Sequence, residues 1–237
     1  MLRTLRLRHY FLVLLSLALT IAFVRLGVWQ LHRLHERRVH NAMLERRLAA
    51  TPVPVTQLPA DSGSAHYRRV YIHGVYDYVH EMVLTDRTHN GSPGVDILTP
   101  VRFGHSDSVV LVNRGWVYSA DGVHVDLTLW REGYSVDTIG YAEPFQAKRP
   151  GVARSPSRAN AYRWVDRDVL RDALPFHVLP YIIVLQGDST PPLGIPPRIS
   201  APTLDEGPHM SYAIQWFSFA LIAIVGTVLF IRKDVLG

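Results

Sequence analysis

Residues 210–231 form a run of 22 side chains without a single charge. As a helix this run would be about 33 Å long, enough to cross a hydrocarbon core of about 30 Å. Its composition therefore predicts a transmembrane helix. A second stretch, residues 10–31, reaches the same length. It is uncharged from Tyr10 to Val24, then carries Arg25 inside it and Gln30 near its end. Arg25 lies close enough to the boundary to snorkel. A cleaved signal peptide is the alternative, since Arg3, Arg6 and Arg8 make a suitable basic leader. No small-x-small cleavage site falls at the end of the apolar run, however. Ser16-Leu17-Ala18 has suitable sizes but would leave a very short hydrophobic core, so an uncleaved anchor is expected.

Charge bias sets the expected orientation. Arg232 and Lys233 follow the last run, whereas Asp205 and Glu206 precede it, which points its C-terminal end to the cytoplasm. With two spans both termini share one side, and a long intervening segment translocates largely regardless of its charge. The expected organisation is a cytoplasmic N-terminus (1–9), a first span (10–31), a periplasmic domain (32–209), a second span (210–231) and a cytoplasmic C-terminus (232–237). The chain has no cysteine, which excludes disulfides, thiolate metal ligation and thiol catalysis. The net charge of +5 calls for no nucleic-acid partner, because many arginines flank the spans, where anionic lipid headgroups account for them.

Between the spans, residues 32–48 are Arg-rich and continue the first helix until Thr51-Pro52-Val53-Pro54 stops it. The chain then reads as β. Strands are expected over residues 67–77, 81–86, 95–103, 108–118, 134–142 and 181–186, with a turn at 90–94 and a loop at 104–107. Asp166 can cap a helix over 167–174 that Pro175 ends. Residues 188–202 contain five prolines and read as a linker back to the membrane. Strand neighbours joined by short turns, with few helices, suggest an α+β membrane protein whose outer domain is an antiparallel barrel or sandwich.

Chemistry is harder to find. The 12 histidines include no H-E-x-x-H pair; His32, His35 and Glu36 form only a loose cluster, and His73, His80, His89, His105 and His124 are scattered. No G-x-S-x-G, P-loop or G-x-G-x-x-G occurs. In VLVNRGWV (residues 110–117), Asn113-Arg114-Gly115 interrupts an apolar strand. A guanidinium there needs a partner: a carboxylate on a neighbouring strand, or the anionic group of a bound ligand. Gly115 suggests a bulge or a close backbone approach. His209 stands at the threshold of the last span, with Tyr212 and Trp216 three and seven residues on, toward one helical face. An interfacial aromatic belt and a metal-ligating histidine both fit that triple.

Four segments in this order resemble the surfeit-locus-one family of cytochrome c oxidase assembly factors: LGVWQLHR (26–33), RVYIHGVYD (69–77), VLVNRGWV and PHMSYAIQWFSFA (208–220). The likeness runs over most of the chain. It departs at Arg25, where the family is usually apolar, and at LHERR (34–38), which lacks a Trp-Lys pair. The resemblance implies two spans around an outward domain and a non-enzymatic role in building haem-copper oxidases. It also implies transient binding of haem a for placement in the catalytic subunit, with His209 at the position linked to haem ligation. Trp29, Tyr212 and Trp216 would then pack against the macrocycle, and Arg33 or Arg114 would meet its propionates. The implied partners are the oxidase catalytic subunit, haem a synthase and the lipid bilayer. A cofactor-free scaffold and a membrane-tethered hydrolase are the competing expectations; the hydrolase needs a convergent Ser/His or His/Asp cluster.

Overall fold

The computed structural model describes residues 7–104, 108–145, 149–187, 190–201 and 203–236. The chain divides into two compact units, Met1–Met43 with Thr203–Gly237, and Leu44–Pro202.

The first unit is a pair of helices, both long and apolar enough to cross a membrane. Helix α1 (Leu7–Ala49) begins this unit, and α4 (His209–Leu236) returns antiparallel to it. Their contact seam follows a repeat of four and three residues. Ser16, Thr20, Phe23, Gly27 and Gln30 line it on α1, and His209, Ala213, Trp216, Ala220 and Ala223 on α4. Such a repeat keeps one narrow face toward a partner helix. Most seam residues are small, which is how helices approach closely in lipid, where no hydrophobic gain separates one apolar contact from another. The approach is tight at Gly27, where an added Cβ would lie 2.7 Å from the Phe217 ring. Phe23 stacks on Trp216 with centroids 5.7 Å apart, and the Ser16 hydroxyl donates to the Ala223 carbonyl at 3.0 Å. Ion pairs close both ends. Arg38 grips Glu206 through two bonds of 2.8 and 2.9 Å, and Arg8 and His9 meet Asp234.

The second unit is a closed β-barrel, resolving the barrel-or-sandwich alternative. Its wall runs β2 (Arg69–Tyr76), β6 (Ser135–Pro144), β8 (His177–Leu185), β5 (Ser108–Tyr118) and β4 (Ser92–Arg102). It closes where β4 returns to β2 at Val75↔Arg102 and Tyr76↔Val101. Strand β3 (Met82–His89) extends the sheet beyond β4, while the two-residue strands β1 (Val53–Pro54) and β7 (Ala161–Tyr162) pair parallel to β2 and β3. β5 and β8 are also parallel, an exception to the antiparallel expectation. The strands match the sequence reading closely, β5 residue for residue. The turn at 90–94 is tighter than expected. Only Asn90 and Gly91 leave the ladder, both at positive φ, as a two-residue hairpin requires, and Ser92 already pairs with His89. β8 begins earlier than expected, at His177.

Inward-facing Val70, Ile72, Val110, Val112, Val136 and Ile183 fill the barrel. Each such side chain contributes about 1.5–3 kcal/mol by leaving water. Outside the wall, helix α3 (Arg167–Ala173) sets Leu170 on Leu98, Leu111 and Ile182. Asp166 caps it by accepting from the Val169 amide at 2.9 Å. A short helix α2 (Ser62–Ala65) precedes β2. The proline-rich stretch is irregular over its described residues but not slack: the Trp116 amide donates to the Pro197 carbonyl at 3.0 Å. The loop after Gly104, including His105, lies outside the described residues, as do residues 188, 189 and 202.

Candidate functional site

The two polar features singled out in the sequence fall in different units. In the barrel, the β4–β5 ladder pairs Leu98 with Asn113 and Ile97 with Gly115, leaving Arg114 as the extra residue of a bulge. The Asn113 carboxamide oxygen accepts from the Gly115 amide at 3.0 Å, tying the bulge locally. Gly115 holds φ +137, and a Cβ there would come 2.2 Å from the Pro197 carbonyl oxygen. Both roles expected of this glycine, bulge and close approach, are present.

Alternation puts Arg114 on the same face as Val110 and Val112, and its side chain is fully buried. Its Nη1 donates to Glu81 Oε1 at 2.7 Å, its Nε donates to Glu132 Oε1 at 3.0 Å, and its Nη2 donates to the Trp130 carbonyl. The guanidinium carbon lies about 5 Å from the ring centres of both Tyr76 and Tyr78, which are neighbours of each other. Glu132 is shared with Arg198, whose two terminal nitrogens both donate to it; one of them also donates to the Arg114 carbonyl. Thr99 donates to Glu81 at 2.8 Å. Burial nevertheless raises the Glu81 carboxyl above its ordinary range, against the pull of Thr99 and Arg114.

In the helical unit, His209 is the first residue of α4 and half-buried. Its Nδ1 lies 2.8 Å from Oε1 of Gln30, which is buried in the α1 side of the seam. Among the described residues its Nε2 takes no hydrogen bond. Gly207, at φ +71, lies against that edge of the ring. Trp216 shares the seam and forms a cluster of three rings with Phe23 and Phe219. Tyr212 and Trp29 point away from the seam, each about half exposed. Arg33 is exposed and pairs with Glu36 at 2.6 Å.

His209 and Trp216 thus share one face, Tyr212 lies beside it, and Trp29 stands on the open flank of α1. Nor do the other histidines gather: among the described residues no group of three or more His, Asp or Glu could hold a metal ion. His80 pairs with Asp77 at 3.0 Å and His124 with Asp121 at 2.6 Å. Toward a hydrolase, the Ser108 hydroxyl lies 3.4 Å from His177 Nδ1, in an exposed position. Among the described residues no carboxylate is hydrogen-bonded to His177 to orient it, which a triad would need. Sequence reasoning missed Gln30 as a partner of His209, although a carboxamide inside an apolar span is itself a signal. It also missed Glu81, Glu132 and Arg198, whose convergence depends on the barrel's closure.

Fold and site together define a class: a closed β-barrel flanked by two membrane-length helices that pair along a small-residue seam. The SURF1 family model matches residues 17–221, and the chain belongs to that family. It is 27% identical over 227 residues to a SURF1-like protein of Monosiga brevicollis, covering 92% of this chain and 86% of that one. A SURF1-like protein of Rickettsia felis is 25% identical over 218 residues, covering 90% of this chain and 93% of its own. Surfeit locus protein 1 of Xenopus tropicalis is 24% identical over 235 residues, covering 92% and 76%.

Proposed function

We propose that this protein is a non-enzymatic assembly factor for a haem-copper cytochrome c oxidase, and that it takes up haem a transiently at His209 for placement in the catalytic subunit. The observation that carries the reading is an imidazole at the head of α4, held through Nδ1 and open at Nε2, in a chain of this family. Haem a would supply an iron centre that an imidazole nitrogen can ligate. The donor set fits: His209 would hold the iron, and the exposed rings of Tyr212 and Trp29 offer apolar surface to a macrocycle. Trp216, already packed on Phe23, would support the histidine's face of the helix more than it would touch a ligand.

Arg33 would meet a propionate only by exchanging Glu36, an exposed pair worth little. Arg114 would have to leave three protein acceptors, which makes it the weaker candidate. The barrel is proposed to face the periplasm with both termini cytoplasmic, supported by the charges around the second span. Haem a synthase is a further proposed partner, as the source of the group.

The test is the Soret absorbance of the purified full chain, wild type against His209→Ala, with oxidase activity measured in the same membranes. Loss of the band and of activity supports the reading. An unchanged haem content removes His209 as ligand. Co-purification with the oxidase that survives the substitution, without haem in either protein, would establish the scaffold instead.

A further inference from the structure

We infer that Gln30 fixes the tautomer of His209 and that Gly207 keeps the remaining ring nitrogen uncovered, so that the imidazole is preset as a single-nitrogen donor before any metal arrives. A carboxamide oxygen can only accept, so the ring nitrogen facing it at 2.8 Å must carry a proton. A neutral imidazole has one such proton, and fixing it on Nδ1 leaves the lone pair on Nε2. The opposite tautomer would need the carboxamide to turn over, so that its NH2 donates to Nδ1 in place of the oxygen that faces the ring.

Gly207 supplies the second half. Its amide donates to Asp205 Oδ1 at 2.9 Å, which holds the turn ahead of α4. A Cβ on Gly207 would stand 3.4 Å from the ring Cδ2 and 3.5 Å from Nε2. Any longer side chain would cover the nitrogen that Gln30 leaves free. The outer partner of a ligating histidine usually sets its tautomer and orientation. Here that partner comes from the opposite helix, so the donor exists in this form only while α1 and α4 are paired. The tautomer stands on geometry alone; its use for iron rests on the haem reading above.

The experiment is nitrogen-15 NMR of histidine-labelled full-length protein in lipid nanodiscs, at a pH where free imidazoles are neutral. His209 is assigned by difference against His209→Ala. Wild type is expected to show Nδ1 protonated and Nε2 bare. Gln30→Leu should lose that preference, whereas Gln30→Glu, which keeps an acceptor oxygen, should retain it. A protonated Nε2 in wild type, or an unchanged tautomer in Gln30→Leu, overturns the assignment. For access, hemin is titrated into Gly207→Ala and Gly207→Leu, which share the same backbone strain and differ only in reach. Tenfold weaker binding to the leucine variant supports the role of Gly207, and equal affinities reject it. If wild type shows the expected tautomer yet binds neither hemin nor haem a, the haem reading fails and the tautomer assignment stands.

Discussion

Arg114 in the barrel and His209 at the head of α4 are both polar side chains among apolar ones, but the protein treats them differently. Around Arg114 every nitrogen of the guanidinium finds an acceptor, two carboxylates and a carbonyl, and two tyrosine rings lie about 5 Å away. Among the described residues, Glu81 Oε2 is the network's one buried polar side-chain atom without a partner. Around His209 one nitrogen is satisfied and, among the described residues, the other is not. A cation with every donor paired holds a shape; a ring with a bare nitrogen keeps a valence for something else. The difference separates a structural arginine from a candidate ligand without appeal to how unusual either residue looks in the sequence.

Removing Arg114 tests the paired half most severely. Arg114→Met leaves Glu81 and Glu132 facing each other in the barrel, and breaking one partner of such a pair costs about 3–5 kcal/mol. The full chain in detergent should show a correspondingly large drop in its urea midpoint. A change under about 1 kcal/mol would mean that water reaches the network.

Asp96 is the intermediate case, a barrel carboxyl only partly compensated. Burial pushes it up to about 6, against the pull of Arg87 at 3.5 Å, Asn113 and His89. An unfolded aspartate releases its proton near pH ~3.9. Between those values the folded chain binds more protons than the unfolded one, so stability falls as pH rises. This contribution is fully present below about pH 4, is lost through pH 6 and is level above, a total of about 3 kcal/mol. Glu143 is raised by burial too, so the informative quantity is the difference between wild type and Asp96→Asn. Parallel stability curves for the two from pH 4 to 7 would sink the assignment.

Gly115 joins the network to the chain leading toward α4. Gly115→Ala forces a Cβ onto the Pro197 carbonyl at a φ that alanine resists, at a cost of about 1–3 kcal/mol. Because Arg198 shares Glu132 with Arg114, the displaced segment should become open to trypsin at Arg198. Protection equal to wild type would show that the bulge accommodates the methyl group without moving the segment.

The membrane-length helices, the β character of the barrel unit and the cap at Asp166 are legible because each depends on local pattern: an uncharged run, alternation, a short side chain before a helix. The helix seam was not read, although its repeat of four and three is present in both spans. Each helix is apolar all round, so hydrophobicity marks no face, and only the small and polar residues distinguish the seam. Gln30 was visible as an oddity, but its partner lies 179 residues away. Glu81 and Glu132 carry no local signal, because their burial depends on residues distant in the chain. Barrel closure between β2 and β4 and the parallel β5–β8 pair are likewise long-range outcomes that no local signal encodes.

The smallest effect on stability should come from His209, and that smallness is what the comparison requires. His209→Ala gives up one hydrogen bond and leaves the Gln30 oxygen facing a gap, at a cost of about 1 kcal/mol. Arg114→Met should cost several times more while leaving haem content per folded molecule unchanged, because its guanidinium already has its partners within the barrel. If the haem reading holds, the two variants should dissociate: Arg114→Met should lower stability and keep its haem per folded molecule, and His209→Ala should keep most of its stability and lose haem. Measuring urea midpoint and Soret absorbance on both gives four numbers. If His209→Ala proved as destabilising as Arg114→Met, the open nitrogen would be part of the packing, and the distinction between the two sites would collapse.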